Sequence, residues 1–149
     1  MKKLYYFITI LIFSIAYPQI NTNSTILETN WSGDSEPDHL TMVGNKLFFS
    51  ANIALFNDGN GRELWVKDSP SSKSRIVKDL NSNGSAIDTN SDFINFNGLL
   101  IFTARTSNNT YKQLWKSDGT SGGTAIIKTI NPNYDTKLTN PLIFENKLY

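Results

Sequence analysis

Two stretches of this chain lie over each other without a gap: "RELWVKDSPSSKSRIVKDL" (62–80) and "KQLWKSDGTSGGTAIIKTI" (112–130). Trp65 falls on Trp115, Asp68 on Asp118, Ile76 on Ile126 and Lys78 on Lys128, each pair 50 residues apart. Upstream, "NKLFFSA" (45–51) matches "GLLIFTA" (98–104) at an offset of 53, the extra length falling in the loop "NIALFNDGNGR". A third copy opens at "NPLIFENKLY" (140–149), and "TILETNWSGDS" (25–35) resembles the end of a unit, "RIVKDLNSNGS" (75–85). An internal repeat constrains a fold more than composition does, because each copy must be one supersecondary unit that buries its apolar faces against its neighbours. The expected organisation is a leader (1–19), the tail of a preceding unit (20–35), unit one (36–86), unit two (87–137) and the truncated start of unit three (138–149).

Each unit alternates short apolar or β-branched runs with turn-forming clusters. The runs are "HLTMV", "KLFFSA", "ELWV" and "RIVKDL" in the first unit, and "FINF", "LLIFTA", "QLWK" and "AIIKTI" in the second. Runs of this length between Gly, Asn, Asp and Ser read as strands joined by tight turns. "VGNKL" and "FNGLL" carry Gly-Asn and Asn-Gly, which favour the positive φ of two-residue hairpins. Several runs are apolar on consecutive residues (Leu47 to Phe49, Leu99 to Phe102), which predicts burial on both faces instead of one. Four antiparallel strands per unit with both faces covered predict an all-β fold of tandem β-propeller-like blades. A β-solenoid or a pair of small sandwiches is the competing arrangement.

The leader reads "MKKLYYFITILIFSIAYPQ": two lysines, an apolar run to Ala16, and small residues at Ser14 and Ala16. That order predicts a secretory signal peptide cleaved after Ala16, with an uncleaved anchor as its rival. The apolar run is shorter than the ~20 residues a spanning helix needs, so no membrane span is expected once the leader is removed. The expected location is secreted or at the cell surface. The absence of cysteine excludes disulfides, thiolate metal sites, cysteine nucleophiles and an N-terminal lipid anchor. A formal net charge of +1 gives no electrostatic reason to expect nucleic acid as a partner.

The segment Glu63-Leu64-Trp65-Val66-Lys67-Asp68 and its copy Gln113-Leu114-Trp115-Lys116-Ser117-Asp118-Gly119-Thr120, followed by Gly123-Thr124, resemble the ELWxxDGT repeat family. "NDGNGRELW" (57–65) and the "VKDL" of the fourth strand extend the resemblance over about residues 25 to 149. It implies propeller-like repeats in secreted and surface proteins of Bacteroidetes-type bacteria, often long ones bearing a C-terminal sorting domain for type IX secretion. The first copy departs from the pattern with Ser69-Pro70 for Gly-Thr, and the second with Gln113 for Glu. Neither departure is expected of positions that perform chemistry in every unit. With two full units and the sequence stopping at Tyr149 in an expected strand, the reading is a fragment of a longer propeller.

Turn chemistry gives Asp118, Gly119 and Thr120 a structural role: carboxylate to backbone N–H, left-handed glycine, locally bonded hydroxyl. Trp65 and Trp115, repeated at one strand position, are expected to fill equivalent core slots; sugar stacking is the alternative. Trp31, alone in a polar loop, is the tryptophan most open to a ligand role. "NDGNG" (57–61) and "DSEPDH" (34–39) carry calcium-type oxygen ligands, but Ser69 stands where an EF-hand would need its glutamate, so polar turns are the simpler reading. His39, the only histidine, excludes a histidine-rich metal centre. Gly119-Thr120-Ser121-Gly122-Gly123 has the G-x-S-x-G spacing, but it joins two expected strands instead of a strand and a helix, so no nucleophile elbow is expected. The expectation is a non-enzymatic exported scaffold without cofactor, presenting loops such as 52–62 and 105–112 to a surface protein or carbohydrate. A secreted propeller hydrolase or carbohydrate-binding protein acting on polysaccharide is the alternative.

Overall fold

The computed structural model describes residues 35–52 and 61–149. Among them the fold is all-β and antiparallel. The first sheet runs in the order β1 (Asp38–Val43), β2 (Lys46–Asn52), β3 (Arg62–Lys67), β4 (Arg75–Lys78). The second repeats that order with β5 (Phe93–Phe96), β6 (Leu99–Thr106), β7 (Asn109–Ser117) and β8 (Ala125–Lys128). A two-stranded hairpin, β9 (Ile143–Phe144) and β10 (Lys147–Leu148), follows.

The first hairpin of each sheet is set by its turn. Gly44 has φ 60°, Asn97 and Gly98 have 49° and 78°, and Glu145 and Asn146 have 46° and 58°. These are two-residue connections whose positive φ matches the strand twist. Register then follows residue for residue: Phe49 faces Trp65 in the first sheet as Phe102 faces Trp115 in the second. Both sheets shift register between strands three and four, at Leu64/Trp65 and at Leu114/Trp115.

Because side chains alternate across a strand, this register sorts each sheet into two faces. Leu47, Phe49, Ala51, Trp65 and Ile76 share one face of the first sheet. Val43, Phe48, Leu64, Val66 and Val77 lie on the other, and they form one core with Leu100, Phe102, Ala104 and Trp115 of the second sheet. The consecutive apolar runs are therefore buried from both sides: β2 from Phe48 to Ala51, β6 from Leu100 to Ala104. The sheets come closest along β1 and β5, where Asn95 Nδ2 donates to the Met42 carbonyl at 2.9 Å.

Two expectations from the sequence are corrected. The fourth strands stop at Lys78 and Lys128 instead of running through "KDL" and "KTI", and in the first sheet the Leu80 N–H turns out of the ladder to a side-chain carboxylate. Residues 105–112 are not a loop. They form the end of the β6–β7 hairpin, where Thr106 pairs with Asn109 around a tight turn, because β-branched Thr106 and Thr110 and aromatic Tyr111 suit an extended ladder.

Candidate functional site

The repeated motif is the only constellation the sequence singles out, and its residues are engaged in packing or turns. Trp115 packs against Phe102 in a tilted arrangement with ring centroids 6.2 Å apart, its Nε1 donates to the Ala104 carbonyl at 3.2 Å, and it is buried between the sheets. Trp65 stacks on Phe49 at 6.3 Å on the far face of the first sheet, and its buried Nε1 has no hydrogen-bond partner among the described residues. Leu64 is fully buried, and Leu114, its repeat partner, is half-buried on the outer face of the second sheet.

Glu63 is an acid with 1% of its surface exposed. Its Oε2 accepts the Leu80 N–H at 3.0 Å and its Oε1 the Asn81 N–H at 3.3 Å. Burial pushes its pKa up to about 8, against the lowering effect of those bonds. Gln113 stands in the same place in the second sheet, where its Oε1 accepts from Thr129 Oγ1 at 3.1 Å. An uncharged amide thus serves where the first unit keeps an acid that burial holds protonated.

Asp118 organises the turn between β7 and β8. Its Oδ1 accepts the Thr120 N–H at 2.8 Å and the Thr120 hydroxyl at 2.7 Å. Gly119, at φ 90°, donates its N–H to Ser117 Oγ at 3.0 Å. Thr120 Oγ1 accepts from Gly123 N–H at 2.9 Å, and Thr124 Oγ1 donates to the Thr120 carbonyl at 2.6 Å. A Cβ on Gly123 would fall 2.2 Å from the Asp118 carboxylate, so the turn closes only around a bare α-carbon. Hydrogen bonds from Thr120 hold the Asp118 carboxyl below the usual carboxylate range. In the first unit Asp68 instead takes a two-pronged contact from Arg75, at 3.0 and 3.2 Å. Ser69 and Ser72 bond each other there in place of Gly-Thr. Lys46 spans the two turns, donating to the Asp118 carbonyl at 2.7 Å and lying 3.8 Å from Asp68.

A second charged group was not singled out by sequence reasoning. Arg62, at the start of β3, and Lys112, inside β7, hold the same repeat position, and each is ion-paired: Arg62 with Glu36 at 3.1 Å, Lys112 with Asp88 at 3.0 Å. Lys112 is almost fully buried and also donates to the Asn90 carbonyl at 2.9 Å. Arg105 joins Asp88 to Asp135, which in turn accepts the Lys112 backbone N–H at 2.7 Å. The same backbone position in the first unit, Arg62 N–H, donates to Ser85 Oγ at 3.0 Å. The cation preceding "ELW" and "QLW" was the available signal, but its partners lie in the segments between the two sheets, where the residue types differ: Ser85 in one unit stands where Asp135 stands in the other. This network ties those segments to the sheets.

His39 packs as a structural residue, stacked on Phe93 at 5.1 Å with Nδ1 3.1 Å from Ser50 Oγ. Among the described residues no group of three or more His, Asp or Glu side chains is placed to hold a metal ion, and no helix is long and apolar enough to cross a membrane. Ala16 and Trp31 lie outside the described residues, as do the leader, most of the 20–35 tail and residues 53–60 of the expected loop 52–62, with nearly all of "NDGNG". Comparison of the chain with family models, with curated proteins and with solved structures returns no match.

Proposed function

We propose that this chain is a non-enzymatic, exported β-repeat scaffold of the ELWxxDGT type, whose units stack as propeller-like blades for interaction at the cell surface. One observation carries the reading: the tryptophans and aspartates shared by the two units are committed to packing and turns. The tryptophans are buried beside phenylalanines, and the aspartates hold the third-to-fourth-strand turns. Repetition that conserves scaffold leaves function to the surfaces between repeats. The blade arrangement is supported by the identical strand order of both sheets and by their closest approach along the first strands, as blades round a central axis approach.

Export is tested by fractionating cells that make the tagged chain, followed by protease treatment of intact cells. The expected result is a product processed after Ala16 and accessible from outside. An unprocessed chain confined to the cytoplasm overturns the reading.

A carbohydrate-binding role is favoured by one feature. Tyr111 and Tyr134 lie 6.4 Å apart at the end of the β6–β7 hairpin, and Tyr134 is 70% exposed. Exposed tyrosine rings beside the Arg105–Asp135 pair offer apolar faces and hydrogen-bonding groups together. Binding to immobilised polysaccharide that Tyr134→Ala abolishes would establish it; equal retention of wild type and variant would exclude it.

A further inference from the structure

The two sheets dock asymmetrically, and the residues that dock recur on a surface that remains partly open. On the first sheet the receiving face is Val43, Phe48, Leu64 and Val77, which take Leu100, Phe102 and Trp115 from the second. Sliding down the repeat, the same four positions in the second sheet are Phe96, Ile101, Leu114 and Ile127. Those four side chains line one wall of an open cleft of about 480 Å³. The opposite wall is the β9–β10 hairpin, through Asn146, Lys147, Leu148 and Tyr149.

The hairpin stands to the second sheet as β5–β6 stands to the first. Its turn residues Glu145 and Asn146 share the positive φ of Asn97 and Gly98, which places Leu148 at the position of Leu100. The hairpin closes on itself through reciprocal Leu142–Tyr149 backbone bonds at 2.9 and 3.1 Å. Among the described residues this second interface holds no aromatic pair like Phe102 and Trp115, which fill the first one. Ile127 is 47% exposed, whereas Val77, its repeat partner, is 4% exposed.

We propose that the outer face of the second sheet is the acceptor for a further β-unit of the same pattern, entering through β10, and that the cleft is the socket for its phenylalanine–tryptophan pair. A second copy of the chain does not fit the role. Its own two aromatic faces are already covered: Phe49 and Phe102 are fully buried, Trp65 and Trp115 nearly so. The occupant is therefore a unit whose aromatic face is still free. Stacking of successive interfaces of one design is how repeat proteins gain stability. The inference rests on the unit stacking proposed above and is independent of export.

The test extends the full chain after Tyr149 with a copy of residues 102–128, which supplies the remaining strands of a third unit in register. The methyl signals of Ile101, Leu114 and Ile127 should shift, the emission of the added tryptophan should move to the blue, and the extension should resist protease. Ile127→Lys should restore protease sensitivity of the extension by at least about tenfold, while the same substitution in the unextended chain, at a half-exposed site, leaves its unfolding midpoint little changed. An extension that stays protease-labile, folds without moving those methyl signals, or tolerates Ile127→Lys overturns the docking proposal. Export of the parent chain, measured separately, is unaffected by any of these results.

Discussion

The carboxyl group of Glu63 accepts the backbone N–H of Leu80 at 3.0 Å from a position with 1% exposure. The bond anchors the point where the first sheet releases the chain toward the second, so the protonation state of one acid bears on how the units are joined.

Folding raises the Glu63 pKa from 4.5 to about 8. Between those values the folded chain holds a proton that the unfolded chain has lost, so stability is full below pH 4.5 and falls as pH rises toward 8. Glu63→Gln should remove this slope. The amide cannot accept both backbone donors, so the variant should be less stable by about 1–2 kcal/mol at pH 5, with the gap closing as pH rises. Denaturant titrations at several pH values check this; parallel pH profiles for the two proteins would contradict it.

Trp115 and Trp65 fill equivalent positions, but only Trp115 has a partner for its indole N–H among the described residues. Trp115→Ala should destabilise by about 3–5 kcal/mol through the cavity it leaves. Replacement by phenylalanine separates the two sites. Trp115→Phe should cost about 1 kcal/mol more than Trp65→Phe, the net worth of a buried hydrogen bond. Equal costs in matched unfolding experiments would mean that the Ala104 bond contributes nothing.

Burial by itself would raise the Asp88 carboxyl, but hydrogen bonds from Lys112 and Arg105 outweigh it and hold the group below the ordinary aspartate range. The stability this gives is present above the unfolded pKa of 3.8 and is lost as pH falls through the lower folded value. Lys112→Met should therefore start acid unfolding at a higher pH. At pH 7 it should cost about 2–3 kcal/mol, less than a fully broken buried pair because Arg105 still holds both aspartates. Circular dichroism during acid titration reads the shift.

Neighbouring glycines in the second turn should respond in opposite ways. A Cβ on Gly122 meets nothing within 4 Å, whereas one on Gly123 would fall 2.2 Å from the Asp118 carboxylate. Gly122→Ala should be neutral to within about 0.5 kcal/mol, and Gly123→Ala should cost about 1–3 kcal/mol by displacing Asp118 from Thr120. Thermal unfolding of the two variants side by side makes the comparison. Similar midpoints would show that the Asp118 turn is not what closes the hairpin.

Local chemistry carried much of this fold into plain view. The Gly-Asn and Asn-Gly turns, the presence of four strands per unit and the burial of β2 and β6 on both faces depend on neighbours close in sequence and on a period of two. They can be read before any contact is known. The same locality explains the misreading at 105–112, where polar Ser107, Asn108 and Asn109 suggested a loop although the flanking threonines continue a ladder. Only the tertiary structure decided which tryptophan lies between the sheets, that Glu63 is held as an acid, and that Lys112 is buried between Asp88 and Asp135. Desolvation and charge pairing depend on what is packed around a group, and those neighbours come from residues 17 to 24 positions away or from the other sheet. The repeat states which side chains recur, and the stacking of one sheet on the next determines what each of them does.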